Sequence, residues 1–502
     1  MISLYVPFRM NTDPFTQFCQ SRLGIIGDWH SPIMAAFWGC LQNAVTAITG
    51  TDSPGRDARL LFYFHATLIW TGIFLCLRST FWRTSKPFWC FGLTIVLLLW
   101  LCTDLCFFLI PHNTGKDEGF LGAYLVAVGC CLNPPKKTMA KFVVGIVVVL
   151  FLFYGTALRH NALFAPMPLC VWLMVILFPA QKMRFFVPVG LVLWVAIVCS
   201  IHYVNYNVIK AVRLYSITEM FYSDIWHLNA RTPRYVVPPD TFGNEFMFTE
   251  EEFREKFNPG ELFLRPAFEK ITETLPPEKQ ILMDRSTFVI YHADKDIASN
   301  LVETLMLETR YSQRNARLIL IPLAQTESYH RDYLELRDAW VKRVTMDMFA
   351  YCKFKTQNLF RLCRMYRWFG SINAITVLPP LLLMAVILIL SGHVVPSSKY
   401  FPCAILVCSA LLYLAPLWFC LPALVPRYLY WFFAASFIAI AYFCSQSPLF
   451  HEIVQTIHRY LEKKAAPQSD IPLRHYVERM STKIAINNTH DTHDREQANR
   501  SS

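Results

Sequence analysis

The chain has 502 residues, 54% of them hydrophobic and 15% aromatic, with only 17% charged; a soluble protein carries roughly a quarter charged residues. That balance excludes an ordinary soluble globular enzyme. The formal net charge of +11 does not point to nucleic acid, because the basic residues sit mostly in short loops between apolar segments, where membrane topology accounts for them.

A bilayer core of about 30 Å needs roughly 20 apolar residues at 1.5 Å per residue. In chain order, windows of that kind lie at 88–110, 142–157, 162–178, 185–206, 375–390, 401–421 and 428–443, with shorter candidates at 60–77 and 119–132. The segment 33–50 carries Gln42 and Asn43 and suits either a tight span or a re-entrant helix. The fold class is therefore an all-α polytopic membrane protein with about nine or ten spans and one inserted, helix-rich extracytoplasmic domain. The organisation reads as a first extracytoplasmic loop at 1–32, a transmembrane bundle at 33–208, the inserted domain at 209–370, C-terminal transmembrane helices at 371–447 and a cytoplasmic tail at 448–502. Within the insert, 249–257 and 330–362 are amphipathic, and 287–291 reads as a strand. The 16 cysteines contain no CxxC pair, and most fall in or beside apolar segments, where Cys behaves as a small hydrophobe.

Basic loops mark the cytoplasmic side. Three short clusters stand out: Arg78, Arg83 and Lys86; Lys136, Lys137 and Lys141; Lys182 and Arg184. One scheme puts all three inside, with 1–30, 112–118, 159–161 and the insert outside and the C-terminal tail inside. Segment 451–464 of that tail is amphipathic and suits the membrane surface, and the sequon at Asn487 would be inert there. Nothing before residue 30 spans a membrane, so the scheme implies a further helix upstream of Met1; an in-frame stop codon just before Met1 would refute it.

Ionisable residues at membrane depth are costly and point to function. Asp104 lies inside an apolar run, Lys116, Asp117 and Glu118 follow shortly after it, and Arg159, His160 and Asn161 form a polar knot between two apolar segments. Each has a plain reading as a helix-to-helix hydrogen bond or a tight interfacial loop. The N-terminal stretch adds Asp13 and the triplet Asp28-Trp29-His30, ahead of Pro32, which suits a first helical turn. All of these fall on the same side of the membrane in the scheme above.

On these residues the chain resembles the GT-C superfamily of polytopic glycosyltransferases, in particular its bacterial members. In that group an acidic residue in the first periplasmic loop precedes a turn into the next helix, as Asp13 precedes Asp28-Trp29-His30-Ser31-Pro32. Lys116-Asp117 resembles its second acidic position, and Arg159-His160-Asn161-Ala162 with Pro166 and Pro168 resembles another of its segments. Tyr333-Leu334 with Arg337, and Arg427-Tyr428, are similar to two later motifs. The pattern departs at Ser31, where the family turn has a second Pro, and at His330-Arg331, where it has His-Pro. The resemblance spans residues 10–445.

The resemblance implies an inverting transferase that uses a polyprenyl-phosphate-linked sugar as donor and a glycan, lipid or protein of the cell envelope as acceptor. The protein would sit in the bacterial inner membrane. Such a reaction needs a carboxylate base for the acceptor hydroxyl, assigned to Asp13 with Asp117 or Asp28 as partner, since two carboxylates sharing a site push one pKa upward. It needs fixed cations for the phosphate that leaves: Lys116, Arg159, Arg337 and Arg427, with His30, His160 and Tyr428 as further substrate contacts. Some relatives use a divalent metal; no three-ligand constellation in this sequence demands one, and no cofactor is implied. Two other classes fit charged residues within a bundle: a transporter or flippase of a lipid-linked sugar, which would favour internal repeats that are not seen here, and a non-catalytic assembly protein.

Overall fold

The computed structural model describes residues 12–23, 26–28, 30–51, 54–81, 115–179, 183–213, 217, 220–221, 224–225, 228, 326–365, 367–368, 372–420 and 429–446. The chain groups into two compact units, Met1–Phe443 and Cys444–Ser502, and the helical bundle belongs to the first. In order, its elements are α1 (Thr12–Leu23), α2 (Pro32–Thr49), α3 (Pro54–Phe81), α4 (Lys116–Leu132), α5 (Thr138–Leu158), a 3-10 turn (His160–Ala162), α6 (Pro166–Leu177), α7 (Met183–Tyr203) and a π turn (Val204–Val208). After these come α8 (Thr326–Met346), α9 (Met348–Met365), a two-stranded hairpin of β1 (Arg367–Trp368) and β2 (Ile372–Asn373), α10 (Ala374–Leu390), α11 (Phe401–Cys420) and α12 (Tyr430–Gln446).

Among the described residues four stretches are long and apolar enough to cross a membrane: Arg59–Ser79, Thr138–Leu158, Arg184–Val208 and Phe401–Trp418. Shorter apolar helices cover Pro166–Leu177, Val377–Leu390 and Tyr430–Phe443. This is the make-up of an integral membrane protein. The expected spans at 119–132 and 162–178 appear as the short helices α4 and α6, and the one at 88–110 lies outside the described residues, as do Asp104, the strand at 287–291, the amphipathic stretch 249–257 and the tail 451–464.

The centre of the bundle is α4, of which every residue from Asp117 to Leu132 except Cys130 is buried. It packs backbone to backbone on α3. A Cβ placed on Gly72 would come within 2.7 Å of the Leu125 carbonyl carbon, and one on Gly122 within 2.9 Å of Leu68 Cβ. Small residues let helices approach this closely where lipid supplies no hydrophobic drive. Gly72→Ala is therefore expected to destabilise by about 1–3 kcal/mol, as overpacking does; thermal unfolding in lipid nanodiscs checks this.

Pairings along the helices fix their directions. His65, Leu68, Gly72 and Leu75 of α3 meet Gly119, Gly122, Leu125 and Gly129 of α4 in turn, so the two run parallel. α5 runs back along α4, with Leu158 against Gly119 and Thr156 bonded to Tyr124 at 2.9 Å. α6 and α7 are antiparallel: Val171 meets Gly190, and Trp194 Nε1 donates to the Leu163 carbonyl at 2.7 Å. Ser409 of α11 donates to the Ala165 carbonyl at 2.6 Å and accepts from Trp431 of α12 at 3.0 Å.

These pairings sort the loops. Arg78, Lys136, Lys137, Lys141 and Arg184 fall at one end of the bundle, beyond Leu75, Asn133, Gly145 and Leu177. The starts of α4 and α6 and the ends of α5 and α7 fall at the other. Segment 33–50 is not a span: Ser31, which caps α2, donates to the Ala157 carbonyl near the end of α5 at 2.8 Å, while Thr49 at its far end accepts from Arg56 in the first turn of α3 at 2.9 Å. Both ends of α2 thus lie at the end of the bundle away from the basic loops, and Gly50, in the left-handed region with φ 66°, turns the chain out of it.

Candidate functional site

At that end, three separate pieces of sequence converge. Lys116 and Asp117 open α4, where Gly115 is extended and the first turn accepts negative charge. Arg159 closes α5 in extended conformation. His30 and Ser31 lead into α2. Arg159 and Asp117 form an ion pair with side chains only 6% and 5% exposed. Lys116 Nζ, which can only donate, sits 3.1 Å from His30 Nδ1, so that nitrogen accepts. Gln17 Nε2 of α1 donates to the Ser31 carbonyl at 3.2 Å, and Asp13 stands one helical turn before Gln17. Glu118 is buried beside Asp117. One turn deeper, His65 Nε2 lies 2.8 Å from the Tyr154 hydroxyl, beneath Gly119.

Asp28 is held by a different device. The end of α7 widens into the π turn Val204–Val208, a form concentrated at functional sites. It presents Tyr206, whose hydroxyl donates to Asp28 Oδ2 at 2.8 Å. Arg213 lies over the Tyr206 ring, 4.6 Å from its centroid, and His202 packs against it. Lys210 takes φ 57°, in the left-handed region, and the chain then bridges back: Val212 N donates to the Ile26 carbonyl and Asp28 N to the Val212 carbonyl. The backbone leading into Asp28 is thereby fixed while the residue stays partly exposed.

Of the residues singled out by sequence, Asp28, His30, Lys116, Asp117 and Arg159 come together at this end, and α1 brings the backbone of Asp13 to the same end. His160 lies in the 3-10 turn immediately after Arg159. Arg337 is elsewhere in its bonding: it is exposed on α8 and pairs with its neighbour Asp338 at 2.9 Å. Arg427 and Tyr428 lie outside the described residues. Sequence reading missed Ser31, Gln17 and Tyr206 as the groups that hold the site; no spacing links Tyr206 to Asp28 across 178 positions. Among the described residues no group of three or more His, Cys, Asp or Glu is arranged to hold a metal ion.

A second buried polar cluster lies in the region assigned to the insert. Lys355 of α9 forms an ion pair with Asp224, each side chain 1% exposed. Trp340 Nε1 and the Tyr351 hydroxyl donate to Asp224 Oδ2 at 3.0 and 3.2 Å, and Arg343 donates to the Leu228 carbonyl at 3.2 Å. Burial pushes the Asp224 carboxyl up, against the opposing pull of Lys355 and the two donors.

Comparison with family models, with characterised proteins and with solved structures finds no match.

Proposed function

We propose that the chain is a membrane glycosyltransferase that moves a sugar from a polyprenyl-phosphate-linked donor to a glycan, lipid or protein of the cell envelope. In this reading the charged end faces away from the cytoplasm, and the basic loops face the cytoplasm of a bacterial inner membrane. The observation that carries it is the meeting of His30, Lys116, Asp117 and Arg159, from three distant segments, at the bundle end opposite the basic loops, with Asp28 two residues before His30.

The chemistry divides among these residues. Asp13 takes the proton of the acceptor hydroxyl as its oxygen bonds to the anomeric carbon. The bond from that carbon to the phosphate oxygen breaks, and polyprenyl phosphate leaves with the electron pair. Lys116 and Arg159 offset the charge growing on that phosphate; Asp117 orients the Arg159 guanidinium, whose planar fork suits phosphate oxygens. Asp28, clamped by Tyr206, orients the acceptor. The surrounding apolar helices hold the polyprenyl chain.

Reconstituted full-length protein with an Asp13→Asn partner tests this. An enzyme converts a polyprenyl-phosphate sugar to polyprenyl phosphate, and Asp13→Asn slows that by about a hundredfold or more while folding and lipid binding persist. Translocation of the lipid-linked sugar without cleavage would instead identify a transporter, and indifference to Asp13→Asn in vivo an assembly protein. Tyr206→Phe is expected to slow transfer by about tenfold, the value of roughly one hydrogen bond to a charged group, with unchanged thermal stability.

A further inference from the structure

Helix α9 turns two different faces outward and inward. Its inner face carries Tyr351, Phe354, Lys355, Asn358 and Leu362, all buried. Leu359, Leu362 and Cys363 join the core of the membrane bundle, and Trp418 of α11 donates to Thr356 at 3.1 Å. The outer face repeats at helical spacing. Phe349 is 81% exposed and Phe360 56%, with Lys353, Arg361 and Arg364 exposed around them.

Position decides what covers this face. α9 is anchored on the apolar α11, and only the short hairpin of β1 and β2 separates it from α10. α10 exposes Leu382, Leu383, Val386 and Ile387, the surface a helix shows to lipid. The outer face of α9 therefore continues a lipid-facing surface at the level where headgroups begin. Exposed aromatics flanked by cations on one helix face suit that boundary: the rings enter the acyl region, and the cations meet lipid phosphates.

We propose that the outer face of α9 lies in the membrane surface and binds anionic phospholipid headgroups, Phe349 and Phe360 inserting and Lys353, Arg361 and Arg364 pairing with phosphate. This rests on the integral-membrane character of the chain and is independent of sugar transfer.

The test is photo-crosslinking of the full-length protein in vesicles of phosphatidylcholine and phosphatidylglycerol, with p-benzoylphenylalanine at position 349 or 360. Replacing one exposed ring by another leaves the buried face alone. Illumination is expected to give lipid adducts at both positions, with phosphatidylglycerol enriched severalfold over its share of the vesicle. In the Lys353→Gln/Arg361→Gln/Arg364→Gln variant the enrichment falls to that share while the adducts persist. Absence of lipid adducts, adducts in plain proportion to vesicle composition, or capture of a protein in their place each overturns the proposal.

Discussion

Asp117→Ala is expected to lower the stability of the reconstituted protein by about 3–5 kcal/mol, the usual cost of leaving one member of a buried ion pair without its partner. The pair is nearly sealed, with Arg159 and Asp117 side chains 6% and 5% exposed. Arginine cannot shed its proton at any physiological pH, so the variant keeps the Arg159 charge at a buried site and loses the carboxylate that faces it. The double variant Asp117→Leu/Arg159→Met separates structure from function. Replacing a whole buried pair by apolar groups of similar volume is often neutral or stabilising, so unfolding of the double variant is expected near the wild-type temperature. If the pair acts on a phosphate, that stable protein no longer transfers sugar. Full activity in the double variant would show the pair to be a helix clamp alone and would remove Arg159 from the mechanism.

The sequence was most informative where lipid leaves the chain few choices. Apolar runs of spanning length at 142–157, 185–206 and 401–421 correspond to α5, α7 and α11, because a helix in lipid satisfies its own backbone. The basic loops at Arg78, Lys136 and Arg184 fell at one bundle end for the same reason: charge that cannot enter lipid sorts by side. Helix α4 was a weaker candidate because its role is internal. A helix walled in by protein needs no lipid-length apolar run, and its glycines at 119, 122 and 129 serve close approach to α3. The ambiguity at 33–50 came from composition poised between span and surface, and only the tethers of Ser31 to Ala157 and of Thr49 to Arg56 together resolve it. Charged residues flagged the site, yet the groups holding them did not stand out. Tyr206, Gln17 and Ser31 are ordinary polar residues whose roles arise from the π turn and from helix packing, which no local pattern encodes. Lys355 did leave a trace, a charge on the same helical stripe as Tyr351 and Leu362, which on a buried face calls for a partner.

That lysine makes the second ion pair behave differently from the first. Asp224→Ala also removes the carboxylate paired with a buried cation, and a loss of about 3–5 kcal/mol is expected at pH 7. A lysine, unlike an arginine, can escape by releasing its proton. With an ordinary pKa of about 10.4, neutralising a lysine at pH 7 costs about 5 kcal/mol, and at pH 9 only about 2 kcal/mol. The penalty for Asp224→Ala is thus capped and is expected to shrink as pH rises from 7 to 9, while that for Asp117→Ala does not. In the unaltered protein the sign is opposite. Burial raises the Asp224 carboxyl in the folded state, so its contribution to stability is fullest below the ordinary carboxylate range and is lost as pH rises through the raised value. Denaturation of the wild type and both variants across pH 4–9 measures all three slopes. A deficit for Asp224→Ala that stays constant between pH 7 and 9 would mean that the contacts of Trp340 and Tyr351, rather than the ion pair, hold Asp224 to α8 and α9.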